Sequence, residues 1–462
     1  MNKDWKLYLG DKEFYYKVAA IAIPVSLQQL ITIGVNMMDT IMLGNLGEIQ
    51  LSASSLANQF INIFHCICMG LGMGASVLTA RYWGAKDAAS FKKSTTIMFR
   101  LCILISLVFM IATLAMPGGI MMMFTEEKTV ISAGVIYLLW SIPSYLLHGL
   151  SLTTTIVLRS MRKTSIPLMT SIGAFFVNVF FNWVLIFGKL GAPRMEIAGA
   201  ALGTLIARVF EFVVICGYFF FIEKEIAYRI KDLFANCRDM VREVLRVSMP
   251  VMISDSLLGF GNSAVSMVIG HLGSSFTSAN AITAVVVQLS TVFIMGIASA
   301  SCVITGNTLG EGKVKEAQAH GYTFWFMGLF IGVLGAGIIM LISDTIINFY
   351  NITDSTKLIA GELMRAVCFT VIFQAQNTIL TKGVLRGGGD TRFLMVVDII
   401  FLWIVSIPLG AMAGLVWGFP PFWIYVCLKL DQIIKAIWCI FRLHSGKWIK
   451  KIRTLDELTS QA

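Results

Sequence analysis

The sequence predicts an all-α membrane protein of twelve transmembrane helices in two six-helix lobes. Of its 462 residues, 57% are hydrophobic and 13% charged, and the mean hydropathy is +0.79; a water-soluble fold cannot bury that much apolar surface. Twelve apolar segments each approach the roughly 20 residues needed to cross a hydrocarbon core. The chain also contains itself twice. Shifted by 226 positions, Pro24-Val25 falls on Pro250-Val251, Asn36 on Asn262, Gly44 on Gly270, Gly47 on Gly273, and Gly84 on Gly310. Shifted by 227, Leu158-Arg159 falls on Leu385-Arg386 and Thr164 on Thr391. Internal repeats of this size in a membrane protein are typical of transporters that hold substrate between two halves.

In chain order the helices are expected at 17–42, 52–80, 93–116, 129–157, 165–188 and 197–222, then 245–271, 280–308, 320–347, 357–384, 393–415 and 420–442. The N-lobe accordingly covers 1–222, a linker rich in both signs of charge 223–244, the C-lobe 245–442 and a tail 443–462. Trp448 and Ile449 in the tail are expected to face the membrane surface. No cleavable leader is expected. The first 17 residues mix charges and aromatics, and the apolar run that follows is too long for a signal sequence.

Lysine and arginine set the orientation. Alternate loops and both ends together carry 28 of the 36 Lys and Arg, whereas the opposite loops carry only Lys128, Lys189, Arg194 and Lys357. Basic residues are retained on the cytoplasmic side, so both termini and the linker are expected there, in a multi-pass protein of the cell membrane. The same bias accounts for the net charge of +10 without a nucleic-acid partner; anionic lipid suffices.

Eight of the nine cysteines fall in apolar helices, where they read as small buried hydrophobes rather than disulfide partners. Cys66 and Cys68 beside His65 have the wrong spacing for one helix face, so no metal tract is expected. Phosphate-binding loops and Ser/His/Asp constellations are absent from the sequence. That argues against an enzyme, against ATP hydrolysis and against a cofactor; transport would have to draw on an ion gradient.

Several phrases give the chain a family resemblance. They are Gly44-Asn45-Leu46-Gly47 after helix 1, Ala80-Arg81-Tyr82-Trp83-Gly84-Ala85-Lys86-Asp87 after helix 2, and Asn178 and Asn182 followed by Phe187-Gly188-Lys189-Leu190-Gly191-Ala192-Pro193. Leu385-Arg386-Gly387-Gly388-Gly389-Asp390-Thr391 follows helix 10. Together, from about Lys17 to Phe441, the chain resembles the multidrug and toxic compound extrusion (MATE) family. The resemblance implies two lobes related by a pseudo-two-fold axis along the membrane normal, and an antiporter that exports organic cations against inward H⁺ or Na⁺.

Ionisable groups inside helices are expensive and tend to line polar cavities. On helix 1, Thr32, Asn36 and Asp39 are spaced by four and three residues, which puts a carboxylate, an amide and a hydroxyl on one face. Such a carboxylate can take a proton, or Na⁺ if neutral oxygens complete its shell. In the family a helix 1 acid at this place is the coupling residue, and Asp39 matches it. Asn178 and Asn182, one turn apart on helix 5, match positions that complete the site; where some members have a second acid this chain has Asn182. Tyr137 and Thr204 match further members of the network. A Na⁺, if that is the ion, is expected at Asp39, Asn178 and Asn182.

The repeat breaks at this residue: Asp39 falls on Val265, so the lobes should differ in role. In the C-lobe, Asp255 and Asp398 are expected to lend negative potential to a substrate cavity, with Gln374 and Asn377 as neutral hydrogen-bonding groups; an ion pair stabilising helix packing is the other reading of such acids. Arg208 and Glu211, three residues apart, read as an intrahelical pair. The expected activity is therefore cation-coupled export of organic, cationic or multidrug compounds by a monomer. The alternative is a flippase of lipid-linked or other amphipathic metabolites in the same superfamily, which usually has a more basic cavity.

Overall fold

The computed structural model describes residues 10–349, 352–454 and 457. Positions 1–9 of the expected N-lobe, and 455–456 and 458–462 of the expected tail, lie outside them. Among the described residues, eleven helices are long and apolar enough to cross a membrane. They are α1 (Lys12–Gly44), α2 (Glu48–Gly84), α3 (Ala88–Ala115), α4 (Lys128–Ser160), α5 (Ser165–Phe187), α6 (Glu196–Ile222), α7 (Arg238–His271), α8 (Ser274–Gly310), α9 (Val314–Asn348), α10 (Asp354–Leu385) and α11 (Thr391–Val416).

The twelfth span, α12, comes in two pieces, Pro421–Leu428 and Leu430–His444. Its interruption corrects the expectation of one continuous helix. The Lys429 amide closes the first piece onto Tyr425 and Val426, and the Asp431 amide donates to the Ser406 hydroxyl at 2.6 Å instead of to a carbonyl of its own helix. Wider π turns, which often mark functional or adjustable places, end α6, α10 and α11 and interrupt α11 once.

The backbone groups with their side chains form two compact units. One holds Leu27–Thr79 and Asp87–Leu245; the other holds the described residues up to Ser26, Ala80–Lys86 and Arg246–Arg453. The boundary inside α1 falls two residues after Pro24, where proline removes a backbone hydrogen bond from the helix interior.

In the first unit, α6 packs closely against both α4 and α5, and α3 lies against α4. Glycine decides two of these approaches: a side chain at Gly199 would meet the backbone of Leu185, and one at Gly203 would meet Asn182. The expected linker is folded onto this unit. Tyr228 is buried and its hydroxyl lies 2.7 Å from Thr96, while Arg100 donates to the carbonyls of Leu233 and Ala235. Glu223, also buried, accepts from Lys163 at 3.0 Å and from the amides of Glu225 and Ala227 at 2.7 and 3.1 Å. Burial alone would raise its pKa, but Lys163 and those amides outweigh burial and hold the carboxyl below its usual value.

The second unit is built around α8, α10 and α12, with Leu363, Leu380, Leu428 and Leu443 fully buried. The start of α1 packs into it: Phe14 lies against His320 and Phe324, and the Ser26 hydroxyl donates to the Val292 carbonyl. The last turn of α2 crosses the end of α8 within the same unit, where a side chain at Gly310 would meet the Arg81 carbonyl.

The tail does not lie on a membrane surface at Trp448, which is a correction. Trp448 is fully buried, its indole donates to Gln318 at 2.8 Å, and its ring lies against Gly388. Lys450 donates its amide to the Gly388 carbonyl at 2.9 Å. Asp390 pairs with Arg442 at 2.7 Å and Lys450 at 3.3 Å. The Gly387-Gly388-Gly389-Asp390 phrase is thus a seat for the tail: bare backbone admits the indole, and the carboxylate fixes the flanking bases.

Candidate functional site

A cavity of about 1030 Å³ opens within the first unit, walled by residues from α1, α2, α4, α5 and α6. Its polar character follows from helix periodicity. Gln28, Thr32, Asn36 and Asp39 recur at spacings of four and three along α1 and all line it. Asn58 and His65 do the same on α2, and Tyr137, Ser141, Ser144 and His148 on α4.

Asp39 is tied to α5. The Asn182 amide nitrogen donates to its carboxylate at 2.6 Å and to the Asn178 side-chain oxygen at 3.2 Å; Asn178 in turn donates to Thr204 at 3.4 Å. Four of the residues singled out from the sequence therefore form one chain of contacts across α1, α5 and α6. The side-chain oxygen of Asn182 has no protein partner. Tyr137 lies in the same cavity but bonds Asn58, 3.3 Å away. Thr32 and Asn36 face the cavity; Thr32 donates its hydroxyl to the Gln28 carbonyl at 2.9 Å, leaving its oxygen to accept.

Other cavity residues escaped sequence reasoning. His65 and His148 face each other with ring nitrogens 2.9 Å apart, so one ring donates to the other. The signal for the pair was weak, because it requires knowing that α2 and α4 are neighbours. Arg208 and Glu211 form the expected pair at 2.7 Å, yet both line the cavity as well. Arg159 lines it near Gln28. Groups of three or more His, Cys, Asp or Glu placed to hold a metal do not occur among the described residues.

The C-lobe residues singled out from the sequence do not line this cavity. Asp255 takes both guanidinium nitrogens of Arg386, at 2.9 and 3.1 Å. Asp398 accepts from Lys435 at 3.0 Å and from Ser254 at 2.5 Å, and Lys435 also meets Asp431 at 2.9 Å. Asn377 donates to Gln432 at 2.7 Å, and Gln374 is half-buried on the same helix.

A family model described as MatE matches residues 24–184 and again 250–412, one copy in each half. An uncharacterized transporter of Bacillus subtilis, YisQ, is 21% identical over 418 residues, covering 89% of this chain and 90% of its own. The multidrug resistance protein MdtK of Yersinia pseudotuberculosis is 23% identical over 446 residues, covering 94% and 95%. Among solved structures, the outward-facing conformation of a multidrug resistance MATE family transporter of the MOP superfamily superposes with a TM-score of 0.84 at 18% identity, over 97% of this chain and 99% of that one. A MATE crystal structure in the bent conformation gives 0.84 at 17% identity and the same coverage. These solved folds share the twelve-helix, two-lobe plan read from the repeat. With both halves matched, the chain belongs to the MatE family and is a multi-pass membrane transporter rather than an enzyme.

Proposed function

We propose that the protein is a cation-coupled antiporter that exports organic compounds, cationic and chemically varied, across the cell membrane by alternating access. Asp39 carries the reading. It is an acid in the wall of a large polar cavity, held by an amide that is itself held by the next turn of α5. A carboxylate inside a membrane favours neutralisation by a proton or a hard cation. The oxygens of Asp39, Asn178 and Asn182 are the donor type that Na⁺ accepts, and Asp39 alone suffices for H⁺. The printed names of MdtK and of the multidrug resistance transporter support a broad organic substrate range. The lysine and arginine bias supports cytoplasmic termini. No cofactor or nucleic-acid partner enters this scheme, and a monomer is sufficient for it.

Cation binding at Asp39 and substrate binding in the cavity must favour different conformations, since a ligand with equal affinity for both would drive nothing. Export of a fluorescent organic cation from proteoliposomes, under an imposed pH gradient and separately an imposed Na⁺ gradient, tests the proposal. Transport under one gradient, lost in Asp39→Asn, is expected and names the ion. Undiminished gradient-driven export in Asp39→Asn overturns it.

A further inference from the structure

The two halves repeat one contact and change its chemistry. Shifted by 227 positions, Arg386 falls on Arg159 and Asp255 falls on Gln28. In the second half Arg386 meets Asp255 in a two-pronged ion pair. In the first half Arg159 meets Gln28 at the matching place but through one hydrogen bond, its Nη2 donating to the amide oxygen at 2.6 Å, and the Gln28 amide nitrogen goes on to Ser171. The guanidinium is thus charge-compensated in one repeat and not in the other. Among the described residues Arg159 is paired with no carboxylate, its Nε has no protein partner, and the residue is only 8% exposed while lining the cavity.

The other charges in that cavity are disposed differently. Arg208 is matched by Glu211 at 2.7 Å. Asp39 lies eleven residues along α1 from Gln28, roughly 16 Å along the helix axis at 1.5 Å per residue. Glu127 is at the start of α4 and Arg159 at its last turn, so the whole helix separates them. A buried cation without a counter-charge is unfavourable, and a planar guanidinium accepts a carboxylate along two parallel hydrogen bonds. Between the two ends of the cavity stand the partly exposed, paired rings of His65 and His148, backed by the buried rings of Phe64 and Tyr145, and the flat imidazoles suit an aromatic body.

We propose that Arg159 receives the carboxylate of amphoteric aromatic substrates, whose ring system lies against the aromatic middle of the cavity while Asp39 at the far end remains with the coupling cation. Gln28 is the residue that makes this available, by placing an amide where the second half has an acid. The assignment rests on the reading of this cavity as the substrate path and names the substrate class that path selects.

Rhodamine 110 and its methyl ester, rhodamine 123, test it, because they differ in having a free or a masked carboxylate. Binding of each to the full-length protein in detergent is measured by fluorescence anisotropy for wild type, Arg159→Gln and Gln28→Glu. The expected result is a Kd for rhodamine 110 raised at least tenfold in both variants, with rhodamine 123 changed less than twofold. Gln28→Glu keeps the arginine and supplies the counter-charge seen in the other repeat, so it separates loss of charge from loss of fold. Equal weakening of both dyes, an unchanged rhodamine 110 affinity in both variants, or no rhodamine 110 binding by wild type overturns the assignment. The antiporter reading fails separately: dye discrimination retained without any gradient-driven transport would remove that reading and leave Arg159 in its role.

Discussion

Asn182 reaches Asp39 across 2.6 Å and Asn178 across 3.2 Å with the same amide nitrogen. The carboxylate is therefore positioned by a bond that competes with a second acceptor one turn away. Removing the bridge with Asn182→Ala should leave Asp39 in place but poorly oriented. A hydrogen bond to a charged group is worth about 1.5–3 kcal/mol, so gradient-driven exchange in proteoliposomes should fall about 10- to 100-fold, against complete loss for Asp39→Asn. Wild-type rates in Asn182→Ala would show that the amide is not part of the coupling site.

Breaking the buried pair of the second half should be felt as instability. Asp255→Asn leaves Arg386 without its carboxylate, and removing one partner of a buried pair costs about 3–5 kcal/mol. Replacing both, as Asp255→Leu with Arg386→Met, should recover most of the loss. Thermal unfolding in detergent of the single and double variants distinguishes a packing role from a binding role: a stable Asp255→Asn that fails only in transport would place Asp255 with substrate instead.

The linker should respond to pH with a definite sign. The Glu223 carboxyl is held below its ordinary value, so its stabilisation is complete above that ordinary value and is lost as pH falls through the lowered folded value. Glu223→Gln should melt earlier than wild type at pH 7, and the gap between them should close as pH falls through the lowered folded value. A gap that is constant with pH would mean that Glu223 contributes shape and not charge.

Trp448→Ala should empty the seat at Gly388 and cost about 3–5 kcal/mol, the usual range for a fully buried tryptophan. Gly388→Val should fail in the same way from the opposite side, because the indole occupies the space its side chain needs. Limited proteolysis after Lys447 and Lys450 reads both: faster release of the tail is expected in each variant, and wild-type resistance in either would refute the seat.

How much of this was legible follows from what a sequence encodes locally. The number of spans, their repeat and the shared face of Thr32, Asn36 and Asp39 depend on apolar length and the 3.6-residue period, and the structure places those three residues along one cavity wall. The link from Asp39 to Asn182 came from the family resemblance, since no spacing rule relates α1 to α5. The partners of Asp255 and Asp398 lie on α10 and α12, and the mate of His65 lies on α4; helix neighbours are chosen by tertiary packing, which periodicity does not report. The burial of Trp448 was misjudged because an amphipathic basic tail has the same composition whether it meets lipid or a glycine-lined seat. The break of α12 hinges on one hydroxyl, Ser406, in another helix.

The grouping of the first residues of α1 with the second half bears on how the chain is made. Phe14 and Ser26 leave the ribosome well ahead of their partners His320, Phe324 and Val292, and Ser26 and Val292 are 266 residues apart. Contacts this distant in sequence close late and slowly. By contrast, the linker strapped to Thr96 and Arg100 has its partners already waiting when it emerges. Co-translational insertion should thus complete the first cavity early, with the opening stretch of α1 kept waiting in the membrane until α8 and α9 arrive.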